Sequence, residues 1–387
     1  MAKVLRVFIV DDSAVFRSQI RASLEGVAGV EVVGFASQGK NAMEVLKKLP
    51  VDIITLDLEM PVMNGIETLL ELKKQGNRAK VIVFSSHTKR GAESTLAALN
   101  AGASDFITKP TLENPSSMGS EGTTTPAELI RSLLLPKVLQ FSDPESRDLQ
   151  KTKVGSSTSV RLGSHSSPHL VNGETLDVIP SFQKIDWGLF FPKVLLIASS
   201  TGGPNALEKI FSNLKPPFLC PIVIAQHMPP LFTASLAERL QKLSGIPTAE
   251  AQHMQTLKSG CAYIAPGDHH LRLVRTESGV AMVLDQGPQR NSVRPAADFL
   301  FESAADVYRS GCLGLVLTGM GGDGKEGAVA VKKAGGAIVI QSQETCVVFG
   351  MPAAVQAAGA YDQSSSLEGI AELLAQLRLC GRTSKVS

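Results

Sequence analysis

Aromatic residues are scarce in this 387-residue chain, at 5%, with one tryptophan and three tyrosines. Charge of one sign is scarce too. The 38 basic and 36 acidic side chains leave a formal net charge of +2, which offers neither nucleic acid nor a membrane surface much to hold. No apolar run reaches the ~18 residues of a membrane span, so membrane insertion is not expected. Met1-Ala-Lys-Val leads directly into a strand pattern, and no secretory segment is expected. The five cysteines (Cys220, Cys261, Cys312, Cys346 and Cys380) are odd in number, far apart and without Cys-x-x-Cys spacing. Buried thiols in a reducing compartment follow, with the cytoplasm as the default location.

What is present is a soluble globular composition, 43% hydrophobic and 19% charged, on a chain too long for one ordinary core. Two or three domains are expected. From Val4 to about Gln140, strand patterns near 4–10, 30–36, 51–57, 79–85 and 105–108 alternate with helical patterns near 14–25, 39–49, 64–74, 91–101 and 126–140. Thr125 and Pro126 supply a cap and first turn for the last helix. Five such units predict a parallel α/β sheet covered on both faces. Residues 141–185 are rich in Ser, Gly and Pro and lack apolar periodicity, which reads as a flexible linker. His165 and His169 lie there without acidic or thiol partners and read as solvated.

A second α/β region follows Pro192. Lys193–Ser199, Pro221–His227, Cys312–Thr318 and Ala337–Gln341 read as buried parallel strands. Helical patterns cover 205–214, 231–243 and 295–309. The shorter strand patterns Cys261–Pro266, Leu271–Arg275 and Val280–Asp285 are candidates for antiparallel pairing.

Chemistry concentrates at strand ends, where α/β sheets bind ligands. The run Val51-Asp-Ile-Ile-Thr-Leu-Asp57 ends in a carboxylate, just before the Pro/Gly-containing loop 60–65. The strand 4–10 ends in Asp11 and Asp12, and Asp105–Thr108 ends in Lys109. A phosphoryl group accepted by a carboxylate needs a nucleophilic acid, Mg²⁺ held by oxygen ligands, and a cation for the remaining charge. Asp12 and Asp57, with Asp11 nearby, suit the metal; Lys109 suits the phosphoryl; and Ser85 offers a hydroxyl from a fourth strand. Taken singly each has a plainer reading, since Asp11–Ser13 could cap a helix and Lys109 could be a surface lysine.

This first segment resembles response-regulator receiver domains over about residues 1–140. The resemblance implies Asp57 as phosphoacceptor, Asp11 and Asp12 with Asp57 as Mg²⁺ ligands, and Ser85 and Lys109 as phosphoryl-binding residues. It also implies Phe106 as a moving aromatic, a histidine-kinase donor, and a doubly wound five-stranded fold.

In the second region, strand 193–199 breaks into Ser199-Ser-Thr-Gly-Gly-Pro204 before a helix. A serine at such a turn is placed as an exposed nucleophile, although Ser and Thr before a helix are also ordinary caps. His227 ends the next strand and could act as its base. His253 and His269-His270 are worse placed. Asp323, after strand 312–318, could orient the imidazole. The segment Gly319-Met-Gly-Gly-Asp-Gly324 also fits a dinucleotide-binding loop, with Glu344 downstream at ribose distance. Against that, Asp323 would set a carboxylate against a pyrophosphate. A third reading is a binding module in which Ser200 and Asp323 only cap helices.

Six motifs in one order resemble chemotaxis protein-glutamate methylesterases. They are Ser200-Thr-Gly-Gly-Pro204, Gln226-His-Met-Pro-Pro230, Tyr263-Ile-Ala-Pro-Gly-Asp268, Arg294-Pro-Ala-Ala-Asp298, Leu317-Thr-Gly-Met-Gly-Gly-Asp-Gly324 and Val347-Val-Phe-Gly-Met-Pro352. By that resemblance Ser200 is the nucleophile, His227 the general base and acid, and Asp323 the orienting acid. Thr201 would support the Ser–His geometry, and Met320 would lie beside an oxyanion site formed by backbone donors. Two positions depart from the family pattern: Ala198-Ser199 stands where Gly-Ala is common, and Gly322 where Asn is. Ser199 is therefore a second hydroxyl, and only the family register selects Ser200. The resemblance implies hydrolysis of glutamyl methyl esters to methanol and deamidation of glutamine, with chemoreceptors as substrates, a chemotaxis histidine kinase as phosphodonor, Mg²⁺ for the receiver and no cofactor for the esterase. The expected division is a receiver at 1–140, a linker at 141–189 and a methylesterase domain at 190–387.

Overall fold

Strands of nearly unbroken apolar sequence cannot leave a face to water, and this chain buries them in two parallel sheets with helices on both sides. The computed structural model describes residues 4–110, 125–142, 182–214, 218 and 220–380. His165 and His169 and most of the expected linker lie outside the described residues.

The first sheet comprises β1 (Leu5–Val10), β2 (Val30–Ala36), β3 (Ile53–Asp57), β4 (Lys80–Ser85) and β5 (Asp105–Thr108), in the order β2-β1-β3-β4-β5. All its pairings are parallel. Around it lie α1 (Ala14–Leu24), α2 (Gly39–Leu46), α3 (Gly65–Lys74), α4 (Lys89–Ala101) and α5 (Pro126–Leu139). Local chemistry sets their starts. Ser13 accepts from Phe16 N, and Asn64–Glu67 and Thr125–Glu128 form capping boxes, the second followed by Pro126. Gly65 opens α3 because a Cβ there would come within 2.4 Å of the Asp57 carbonyl oxygen.

The second sheet has seven parallel strands in the order β15-β14-β13-β6-β7-β10-β8. Its members are β6 (Val194–Ser199), β7 (Ile222–Gln226), β8 (Thr248–Glu250), β10 (Ala262–Ile264), β13 (Cys312–Val316), β14 (Ala337–Gln341) and β15 (Gln363–Ser365). A small antiparallel sheet joins β9 (Gln255–Thr256), β11 (His270–Thr276) and β12 (Gly279–Asp285). The helices are α6 (Gly203–Asn213), α7 (Phe232–Ser244), α8 (Ala297–Tyr308), α9 (Lys325–Lys333), α10 (Met351–Ala357) and α11 (Leu367–Cys380). Phe211, Phe232 and Phe301 are fully buried between these layers, each such burial stabilising the fold by about 1.5–3 kcal/mol.

One short strand differs from its expected pairing. Within Cys261–Pro266, β10 joins the main sheet parallel to β7 and β8 instead of pairing antiparallel with its successors. The chain between β10 and β11 is a tight Pro-Gly-Asp turn with Asp268 at φ 64°, and it carries the chain out of the main sheet into the antiparallel one. The other two short patterns do form an antiparallel pair, β11 with β12.

Ahead of β6, residues 183–185 are fastened to the far side of the second sheet. Asp362 accepts from Lys332 Nζ at 2.6 Å, Ile185 N at 3.1 Å and Ile338 N at 2.8 Å. Lys332 also donates to the Gln183 carbonyl at 3.1 Å. Both charged side chains of the pair are only 2% exposed. Removing one partner strands the other as a buried, uncompensated charge. Asp362→Ala is therefore expected to cost about 3–5 kcal/mol, read as a lowered unfolding midpoint of the C-terminal half. A midpoint within experimental error of wild type would show that the pair does not hold this segment.

Candidate functional site

The carboxyl ends of β1 and β3, adjacent in the first sheet, bring Asp11, Asp12 and Asp57 together, with one oxygen from each within 4.8 Å of the others. Lys109, one residue beyond β5, reaches across to Asp57 Oδ2 at 2.7 Å and Asp11 Oδ2 at 3.2 Å. Among the described residues Asp11 Oδ2 is ion-paired to Lys109 but accepts no hydrogen bond. Burial pushes Asp11 and Asp57 above the usual carboxylate range despite the lysine. Burial alone would pull Lys109 down, but its attraction to the two acids outweighs that and holds it above its ordinary value. Ser85 ends β4 beside this cluster. Its hydroxyl points toward α4, donating to the Gly91 carbonyl at 3.1 Å with Thr95 Oγ1 2.6 Å away.

In the second sheet, β13, β6 and β7 are neighbours, and the parallel register pairs Val316 with Ala198 and Ser199 with Gln226. The turns that follow these three strands therefore converge on one rim. Ser200 begins the turn after β6, with its N–H bonded to Thr318 O at 3.0 Å. The turn is tight: Gly202 has φ 77°, and a Cβ there would meet Val347 at 2.6 Å. His227 follows β7 and donates its backbone N–H to Ser199 O at 3.0 Å. Asp323, 1% exposed, lies in the turn after β13, its Oδ2 2.8 Å from His227 Nε2. The same carboxylate accepts from Ala297 N at 2.6 Å and Asp298 N at 3.2 Å, at the start of α8. Burial would raise its pKa, but the bond to His227 and these donors hold it below the usual carboxylate range.

Asp323 thus fixes the imidazole through Nε2, and among the described residues Nδ1 makes no hydrogen bond. Among the described residues no hydrogen bond joins Ser200 to His227. The register that pairs Ser199 with Gln226 makes them the next residues on adjacent strand ends. The two neighbouring serines are told apart by burial. Ser199 is fully buried and donates to Gln226 Oε1 at 2.6 Å, whereas Ser200 is only half-buried. Gln226 also donates to the Ser200 carbonyl at 3.0 Å. Met320 sits at the tip of the 318–324 turn, 40% exposed, with no hydrogen bond to its N–H among the described residues.

Thr201 is not turned to the serine and histidine as expected. Its hydroxyl donates to Asp105 Oδ2 at 2.6 Å, at the start of β5 in the first domain, and lies 3.0 Å from Gln140 Oε1. The same Asp105 oxygen accepts from Lys137 Nζ at 2.7 Å. Around this bond the α4–β5 face of the first domain packs on α6 and α7. Phe106 stacks on Phe232 with ring centroids 4.8 Å apart, Asn100 donates to Glu208 at 2.9 Å, and Asn205 donates to the Leu99 carbonyl at 2.8 Å. Asp105 was legible in the sequence only as a strand residue, and Gln226 only as the first residue of the Gln226–Pro230 motif, with no role of its own.

The glycine-rich loop 319–324 does not present an open cradle for a pyrophosphate. The Asp323 carboxylate inside it occupies the N-terminus of α8, and Glu344 lies exposed in a separate turn. His253 bonds to the Leu284 carbonyl of β12, His269 to the Gly267 carbonyl of its own turn, and His270 to Pro288 O.

The CheB methylesterase family model matches residues 195–374, and the response regulator receiver domain model matches residues 7–115. The protein-glutamate methylesterase/protein-glutamine glutaminase of Trichodesmium erythraeum is 40% identical over 367 residues, covering 95% of this chain and 97% of that protein. Its counterpart in Thermotoga maritima is 40% identical over 377 residues, covering 97% and 99%. The crystal structure of the Thermotoga maritima CheB methylesterase catalytic domain is 46% identical, covers 48% of this chain and 98% of that one, and has a TM-score of 0.47. On the extent and identity of these full-length matches, the chain belongs to the family of receiver-regulated protein-glutamate methylesterases/protein-glutamine glutaminases.

Proposed function

We propose that Ser200, His227 and Asp323 are the working residues of this methylesterase and glutaminase. The observation that carries the reading is the 2.8 Å His227–Asp323 bond on the rim where Ser200 also stands. Ser200 Oγ attacks the γ-carbonyl carbon of a methylated glutamyl side chain while His227 Nδ1 takes its proton. The imidazolium, stabilised by Asp323, returns that proton to the departing methoxide, and methanol leaves. Water, deprotonated by His227, then cleaves the acyl-enzyme to glutamate and free Ser200. With glutamine the same sequence releases ammonia. The N–H of Met320, which makes no hydrogen bond among the described residues, is a donor for the tetrahedral oxyanion. Such a relay calls for no cofactor.

The substrates we assign are the glutamyl and glutaminyl side chains of chemoreceptors, with a chemotaxis histidine kinase as phosphodonor to Asp57. Both follow from the family. No helix among the described residues is long and apolar enough to cross a membrane, in keeping with action from the cytoplasm on a receptor's cytoplasmic part. Asp11, Asp12 and Asp57 fit Mg²⁺: three clustered carboxylates, one with an oxygen that accepts no hydrogen bond, suit a hard cation. Such an ion would offset the charge of the phosphoryl oxygens. We draw the division as receiver 1–140, linker 141–189 and methylesterase 190–387, with the linker's end at 183–185 already fastened to the methylesterase sheet.

Regulation follows from where the receiver docks. Lys109 bonds Asp57, and three residues earlier on the same strand extension Phe106 stacks on Phe232. At the strand's start Asp105 grips Thr201, next to the nucleophile. Phosphorylation of Asp57 recruits Lys109 to a larger charge, shifts β5 and loosens the face that crowds the rim.

Ser200→Ala is expected to lower methanol release from methylated receptor by more than about 1,000-fold, and turnover near wild type would reject the assignment. Asp105→Ala is expected to raise the basal rate of the unphosphorylated protein by up to about tenfold, the worth of one buried bond to a charged group. Asn100→Ala should raise it less. A basal rate unchanged in both variants would rule out restraint by this interface.

A further inference from the structure

Behind Asp323 lies a second buried carboxylate. Asp298, also 1% exposed, accepts from Gly327 N at 2.8 Å, and Arg290 Nε lies 3.4 Å from its Oδ2. Two buried acids this close repel each other when both are ionised. Burial, with Asp323 close by, raises Asp298 above the usual carboxylate range, the opposite of what His227 does to Asp323.

One side chain touches both. Asn291 Nδ2 donates to Asp298 Oδ2 at 2.9 Å and reaches Asp323 Oδ1 at 3.2 Å. The backbone is built to deliver it. Asn291 and Ser292 have φ of 54° and 61°, and Arg290 and Val293 exchange both backbone hydrogen bonds, the signature of a tight turn with two left-handed central residues. Asn accepts that conformation more readily than most residues. The loop is pinned on both sides. His270 bonds Pro288 O at 3.0 Å and accepts from Ala296 N at 3.2 Å, and Arg294 donates to Gly287 O at 2.8 Å. Arg290 forks onto Glu302 at 2.8 Å.

We propose that Asn291 is a positioning residue for ester and amide hydrolysis: its amide locks the carboxylate plane of Asp323 so that Oδ2 faces His227. This rests on the assignment of Asp323 as the orienting acid. The chemistry explains why an amide serves and a cation would not. A neutral double donor gives each carboxylate a hydrogen bond without neutralising either, so Asp323 keeps its charge for the imidazolium. Arg290, the cation nearby, is spent on Asp298 and Glu302 instead. Among the groups facing Asp323, the titratable ones are thus His227 and Asp298, with Arg290 beyond.

The test compares full-length wild type with Asn291→Gly, which keeps the left-handed backbone and removes only the amide, and with Asn291→Asp, which keeps the shape. Methanol release from methylated receptor is followed against pH, alongside unfolding midpoints. Asn291→Gly is expected to lose about tenfold in kcat, the worth of one hydrogen bond to a charged group, with KM within about twofold and an unchanged midpoint. With one donor fewer, Asp323 holds the imidazolium more tightly, and the acid limb of kcat/KM moves to higher pH. Asn291→Asp adds a third acid and should move that limb further and cost more in kcat. A kcat within twofold of wild type in both variants, or a loss without movement of the limb, overturns the proposal. Asp323→Asn is the control: if it stays fully active, the assignment of Asp323 fails, whereas its inactivity beside a normal Asn291→Gly sinks only the inference about Asn291.

Discussion

A carboxylate that is 1% exposed and still ionised must be surrounded by donors, and Asp323 sets the terms for everything around it. It is held by the first two N–H groups of α8, by His227 and by Asn291. Each requirement reaches far into the fold. α8 must start at that spot, so the antiparallel β11–β12 excursion that precedes it must bring the chain back to the rim. β13 must lie beside β6, so the sheet must cross over between them, and such a crossover is where open α/β sheets place their ligands. The burial that makes the charge costly also strengthens its hold on the imidazole, because little solvent competes for it.

The receiver meets this rim through its shortest strand. β5 has four residues, and within five positions it presents Asp105 to Thr201, Phe106 to Phe232 and Lys109 to Asp57. The Lys109–Asp57 pair and the Asp105–Thr201 bond are thus separated by less than about 20 Å of extended chain.

Much of this was legible in the sequence because it depends on residue type at strand ends. Asp57, Lys109, Ser200, His227 and Asp323 each follow an apolar run, and in the structure they stand on two rims. What escaped was of another kind. β8, β9 and β15 are two or three residues long and owe their state to the neighbours that pair with them, not to periodicity. β10 was legible as a strand, yet its direction depended on a turn. Thr201 looked like part of the Ser–His machinery, and its real partner lies 96 residues earlier in the chain. Ser199 and Ser200 are chemically equal in sequence, and only burial separates them. Asn291 is a neutral amide in a loop and belongs to no reactive motif. The one trace it leaves is a preference for left-handed turns.

The grip of Asp105 on Thr201 bears on how such two-part chains diversify. A receiver with a perfect acid pocket but no carboxylate at the head of its fifth strand would accept phosphate and still have nothing to offer that threonine. The halves are keyed to one another, and exchanging either for a distant cousin would remove the side chains that now join them.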